Sequence, residues 1–157
     1  MITIKKEELE NIYKHAKDDY PYECCGILVG QGRDDKVVKR AYRTENINKD
    51  RAHDRYEIAS LEFLRIDEQA RADNLEIIGF YHSHPNHPAR PSAFDAERAW
   101  PIYSYFIVSI SSSSSVLAKS WGWDEEEKKF KEEHLMVVRS DELQRNAKVH
   151  SAIDMVK

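Results

Sequence analysis

Cysteine occurs only twice in the 157 residues, as the neighbours Cys24 and Cys25. A bridge between adjacent cysteines needs strained geometry, and no further thiol exists to build a framework. This excludes the disulfide-stapled class and fits a reducing cytoplasm. No apolar run approaches the ~20 residues that cross a bilayer. The opening segment Met1–Glu8 lacks the apolar core and small-residue cleavage site of a secretory leader. The expectation is a cytoplasmic protein without a membrane partner. Positive charge is not in excess either, since 24 Lys and Arg face 28 Asp and Glu for a formal net charge of −4. That balance argues against a nucleic-acid partner, whose phosphates require clustered cations. Two zinc motifs are missing. His-Glu-x-x-His, the helical zinc-peptidase signature, does not occur. Neither does the His-x-Glu with Pro-Cys-x-x-Cys of zinc nucleobase deaminases. Internal repeats and composition shifts are absent as well, so residues 1–157 are expected as one domain, large enough for a real core.

What is present reads as alternating helices and strands. Leu9, Ile12, Tyr13 and Ala16 recur at i, i+3, i+4, i+7 and predict a helix over residues 5–18. Cys25 to Gly30 reads as a short buried strand, and Val37 onward as its hairpin partner. Residues 46–55 are polar without periodicity and are expected as an exposed loop, followed by a brief strand at 56–59. Ser60 suits the N-cap of a helix reaching about Asp73, with Leu61 and Leu64 facing inward. The apolar run from Leu75 predicts a strand through residue 83, and a further helix is expected to about Ala99. Tyr103–Ile110 reads as a strand. Ser111–Ser115 is a turn, and Val116–Trp123 with Phe130–Val138 reads as a hairpin. Residues 139–157 are expected as a C-terminal tail or helix. The order implies an α/β (α+β mixed) fold, a mixed β-sheet covered by helices.

The stretch Tyr81–Asp95 concentrates the chemistry. On a strand, residues i and i+2 share a face, so His82 and His84 present both imidazoles together, their Cα atoms about 7 Å apart. That spacing lets two rings converge on one ion. Asp95 can return across the proline-rich loop as an oxygen ligand, and two His with one Asp leave an open position, the pattern of catalytic zinc. Such a centre needs a carboxylate base that is not a ligand and a donor for the oxyanion. Ser92 is a candidate donor, although Ser92-x-x-Asp95 is also a helix-capping pattern. For the base, Glu23 stands out among many acidic residues because it precedes the buried strand at Cys25.

His82-Ser83-His84, seven residues, Ser92, two residues and Asp95 resemble the His-Ser/Thr-His-x7-Ser-x2-Asp signature of the JAMM (MPN+) metallopeptidases. The segment Pro21-Tyr22-Glu23-Cys24-Cys25-Gly26 is similar to the catalytic-glutamate segment of the family's small bacterial branch. Pro85, Pro88 and Pro91 also sit as they do there. The resemblance spans residues 3–138 and implies Zn2+ held by His82, His84 and Asp95, with Glu23 as general base and Ser92 as oxyanion donor. It implies a curved mixed sheet packed between helices, a cytidine-deaminase-like MPN domain. It further implies hydrolysis of a peptide or isopeptide bond after the C-terminal Gly-Gly of a ubiquitin-like or sulfur-carrier protein. The alternative is a non-catalytic protein-binding scaffold on the same fold, but such relatives typically lack signature ligands that are complete here.

Overall fold

The computed structural model describes residues 1–142 together with 144, 145, 148 and 155. Over residues 2–138 the elements follow one another as β1 (Ile2–Lys5), α1 (Lys6–Asp19), β2 (Cys25–Gln31), β3 (Lys36–Thr44), α2 (Ser60–Ala72), β4 (Glu76–Pro85), α3 (Ala93–Glu97), β5 (Ser104–Ile110), β6 (Val116–Asp124), β7 (Lys129–Glu133) and β8 (Leu135–Val138). The strands form one mixed sheet in the order β7-β6-β5-β4-β2-β3-β1-β8. β4 pairs antiparallel with β2 and parallel with β5, so the strand bearing the two histidines lies near the middle.

Each face of the sheet carries its own apolar cluster. Leu9, Ile12 and Ala16 of α1 pack with Ile2, Ile4, Leu28, Tyr81, Phe106 and Val108. On the other face, Ile66 and Ala70 of α2 meet Ile27, Val29 and Ile77. Alternation along β2 explains this division, with Leu28 pointing one way and its neighbours Ile27 and Val29 the other. In β4 the alternation is interrupted. Leu28 pairs with Gly79 but Val29 pairs with Ile77, which leaves Ile78 as an extra residue. This bulge shifts the parity, as bulges do. Phe80 therefore joins Ile77 on the α2 side, and with it the alternate positions His82 and His84. Gly26 of β2 lies directly over Tyr81, where any Cβ would overlap the Tyr81 ring and the Tyr42 carbonyl.

The helix expected at 5–18, both central strands and the serine turn form as read. Several expectations are corrected. Leu61 and Leu64 face solvent, 81% and 50% exposed, because α2 buries the 63-66-70 stripe through Phe63, Ile66 and Ala70. Ser60 is the first helical residue rather than the cap; Ala59 occupies that position without a side-chain bond. Residues 56–59 form no strand, since the Glu57 amide binds the Asn46 side chain instead of a ladder. Phe130–Val138 breaks at His134: β7 completes the hairpin with β6, while β8 runs parallel to β1 at the opposite edge of the sheet. The helix after Ser92 stops at Glu97. Most of the tail expected at 139–157 lies outside the described residues. No helix among the described residues is long and apolar enough to cross a membrane.

Candidate metal centre and cleft

The two histidines leave β4 on one face, and their Nε2 atoms approach to 2.9 Å. Asp95 enters from α3 with Oδ1 3.3 Å from His82 Nε2 and Oδ2 3.6 Å from His84 Nε2. Glu23, just ahead of β2, brings Oε1 within 3.8 Å of His84 Nε2. Residues distant in the chain thus meet around one point. All four are buried, with Glu23 at 3% and His82 at 1% exposure.

Backbone chemistry explains how each side chain arrives. Ser83, between the two histidines, faces the opposite side of the sheet. Its Oγ accepts the Cys24 amide at 2.8 Å, and its own amide donates to the Cys24 carbonyl at 3.1 Å. This clamp ties the Glu23 segment to the histidine strand. Asp95 is fixed by a capping box. Ser92 Oγ accepts the Asp95 amide at 3.1 Å, while Asp95 Oδ2 accepts the Ser92 amide at 2.7 Å and the Ser92 hydroxyl at 2.9 Å. His84 Nδ1 lies 2.9 Å from the Pro88 carbonyl. With that nitrogen donating, Nε2 keeps its lone pair for the centre.

Electrostatics divide the acids into two kinds. Burial pushes the Glu23 carboxyl up to about 8; His84 opposes this, while the Asp95 and Asp54 charges add to it. Burial also acts upward on Asp95, but His82, His84 and the Ser92 amide outweigh it and hold that carboxyl well below the usual range. Burial lowers His82, against the pull of Asp95, and so favours its neutral ring.

The fit to a metal ion can be tested on these atoms. Donors bound at 2.0–2.1 Å to a tetrahedral ion stand ~3.4 Å apart. Among His82, His84 and Asp95 the separations run from 2.9 to 3.6 Å. Glu23 Oε2 and His82 Nδ1 are buried without a hydrogen-bond partner. Glu23, His82 and His84 form a buried group whose ligand atoms all lie within 4.8 Å of one another, an arrangement suited to a metal ion. With Asp95 on both imidazoles, the donor set of two imidazoles and an anionic carboxylate fits a divalent cation.

All the site residues expected from the sequence converge, and Ser92 is both cap and cleft residue. His87 stays off the centre and lines the cleft. Three contributors were not foreseen. Tyr56 stacks on His82 with ring centroids 4.4 Å apart. Asn46, buried in the loop expected to be exposed, donates to the Glu23 carbonyl at 3.1 Å and the Arg55 carbonyl at 3.0 Å. Arg55 lies over Phe94 of α3. The one signal available beforehand was the density of Asn and Asp in this loop, residue types that bond nearby backbone.

The profile of a family described as prokaryotic homologs of the JAB domain matches residues 5–124. A desampylase from Haloferax volcanii is 33% identical over 129 residues, 79% of this chain and 90% of the relative. A CysO-cysteine peptidase from Mycobacterium tuberculosis is 30% identical over 111 residues, 69% of this chain and 73% of that one. The crystal structure of AF2198, a JAB1/MPN domain protein from Archaeoglobus fulgidus, superposes with a TM-score of 0.56 at 19% identity, covering 87% and 99% of the two chains. That likeness shows the fold.

Proposed function

The chain belongs to the family of prokaryotic JAB-domain homologs, and from that premise we propose that it is a zinc-dependent hydrolase of ubiquitin-like or sulfur-carrier protein conjugates. It cleaves the peptide or isopeptide bond after the carrier's C-terminal Gly-Gly. The observation that carries this reading is the convergence of His82, His84 and Asp95, with Glu23 3.8 Å from His84. Relatives named for acting on such conjugates support the substrate class.

His82, His84 and Asp95 would hold the ion, and two imidazoles with one carboxylate and a fourth position open favour zinc in a catalytic role. When bound, zinc lowers the pKa of water towards ~7 and polarises the scissile carbonyl. Asp95 supplies the negative charge of the ligand set and is kept ionised chiefly by His82, with His84 and the Ser92 amide adding. Glu23 has one oxygen without a partner. It accepts the proton of the attacking water and hands it to the departing amine. Ser92 Oγ accepts the Asp95 amide whatever its proton does. Its hydroxyl hydrogen can therefore turn from Asp95 Oδ2 to the oxyanion, while the Ser92 amide stays on Asp95. Two unbridged, buried thiols fit action in the cytoplasm.

The test is an adduct of a carrier protein extended beyond its Gly-Gly end. Zinc-loaded protein should release the extension after Gly-Gly, as read by mass spectrometry. Chelator-stripped protein should not, until zinc is returned. An adduct left intact by the loaded protein overturns the reading.

A further inference from the structure

His82 and His84 reach the centre with unequal support. His84 has the partner that a ligating imidazole ordinarily has, since its Nδ1 faces the Pro88 carbonyl at 2.9 Å. His82 has none among the described residues. Its Nδ1 is buried without a hydrogen-bond partner, in a residue only 1% exposed. Its strand neighbours do not close the gap. Cys25 and Ile107 lie opposite His82 on β2 and β5, both fully buried. Ile107 offers no side-chain acceptor, and the Cys25 thiol is turned to Thr44 Oγ1 at 3.4 Å and the Glu45 carbonyl at 3.7 Å. A neutral imidazole that keeps its lone pair on Nε2 carries its proton on Nδ1. With no acceptor there, no hydrogen bond fixes the broad rotation of the ring about its Cβ–Cγ bond.

The face of the ring is held instead. Tyr56 lies on it with centroids 4.4 Å apart and planes inclined by 22°. One residue fixes Tyr56 from both sides. The Asn46 side chain donates to the Arg55 carbonyl at 3.0 Å and accepts the Glu57 amide at 3.1 Å. Those bonds flank Tyr56 in the chain and set the backbone that carries its ring. Tyr56 also walls the neighbouring aromatic pocket with Phe63, Phe80 and Tyr105, so the same ring borders both that pocket and His82.

Resting on the proposed zinc site, we infer that Tyr56 is a positioning residue. Its stacked ring fixes the plane of His82 and so aims Nε2 at the ion, in place of the hydrogen bond that orients His84. Two flat rings in contact resist rotation of either one, whereas a branched aliphatic side chain leaves the imidazole free to turn. The phenol hydroxyl takes no part.

The experiment uses Zn2+ alone as the probe, titrated in competition with a chromophoric chelator. Tyr56→Phe keeps the stacked face and should match wild type. Tyr56→Leu removes it and should bind zinc about 10- to 100-fold more weakly, the range for losing a group that orients a metal ligand. Should Tyr56→Leu not fold, Tyr56→Met is read in its place. Thermal unfolding of the zinc-free proteins is measured alongside. A lowered Tm in Tyr56→Leu with wild-type zinc affinity makes the stack merely structural and overturns the inference. A loss in Tyr56→Phe as large as in Tyr56→Leu assigns the effect to the hydroxyl and overturns it too. Turnover at saturating zinc separates positioning from substrate contact. Tyr56→Leu should lose kcat with KM near wild type; a raised KM with kcat and zinc affinity unchanged would make Tyr56 a substrate contact and contradict the inference. The affinity measurement needs no substrate, so it stands apart from the hydrolase reading. Wild type that binds no zinc overturns the metal site and this inference together.

Discussion

Asn46 is the sharpest place to perturb the site without touching it. Its Nδ2 donates to the Glu23 and Arg55 carbonyls, and its Oδ1 accepts the Asn48 and Glu57 amides at 3.0 and 3.1 Å. The Glu23 amide bonds across to the Ala52 carbonyl in the same loop. The loop therefore holds the base segment through its backbone on two sides. Asn46→Ala removes four hydrogen bonds at a buried position. At a net 0.5–1.5 kcal/mol each, and with water replacing some of them, the loss is about 2–4 kcal/mol. For a domain of this size that lowers Tm by roughly 5–15 °C. Asn46→Asp separates the two halves of the network. It keeps both acceptor bonds but sets a carboxylate oxygen against two carbonyls, so it should destabilise at least as much as Ala despite its matching shape. Thermal unfolding of the metal-loaded proteins gives the stability, and kcat/KM well below Tm gives the positioning effect. Displacing a catalytic group by about 1 Å costs on the order of 100-fold. If both variants melt within about 0.5 kcal/mol of wild type, the scale of an ordinary surface change, the network does not hold the base.

Other perturbations test the scaffold. Gly26→Ala drives a methyl into the Tyr81 ring and the Tyr42 carbonyl, and should cost about 1–3 kcal/mol or more in urea unfolding. An unchanged midpoint would mean that β2 can shift off β4. His15, buried against the Tyr81 hydroxyl at 2.7 Å, has its pKa lowered chiefly by burial, with Arg43 adding and Asp19 and Asp18 opposing. The unfolded chain then takes up this proton first. The stability from neutral His15 is full above the unfolded value of about 6.5 and is lost as pH falls through the lower folded value. Urea unfolding at pH 7.5 and pH 5.5 should show wild type losing more on acidification than His15→Gln; parallel losses would contradict the burial argument.

The legible part of this structure was whatever the chain states locally. His82 and His84 at i and i+2, and the Ser92-to-Asp95 cap, are short-range geometry, and both form as read. The helix at 5–18 showed one unambiguous apolar stripe. In α2 two stripes competed, and the choice of Ile66 over Leu61 was made by Ile27, Val29 and Ile77 across the sheet. β8 was misplaced because an apolar run does not say which edge it will pair with, and β1 offered a parallel partner. The bulge at Ile78 that sets the histidine face is a register event between two strands, invisible in either alone. Glu23 rested on resemblance, since nothing in its own neighbourhood shows that Ser83 will clamp it beside His84. Asn46 was hidden in a loop whose composition suggested solvent, and Tyr56 in a segment read as a brief strand.

The most direct test pairs zinc content with turnover in Glu23→Gln and His82→Ala. If His82, His84 and Asp95 hold the ion while Glu23 moves the proton, Glu23→Gln retains one zinc per chain, as wild type does. Its hydrolysis of a carrier adduct falls by roughly 100-fold or more, the scale of lost general-base catalysis. His82→Ala loses metal and activity together. The account is contradicted if Glu23→Gln turns over at the wild-type rate. It is also contradicted if that variant loses zinc as His82→Ala does, which would make Glu23 a ligand in place of the base.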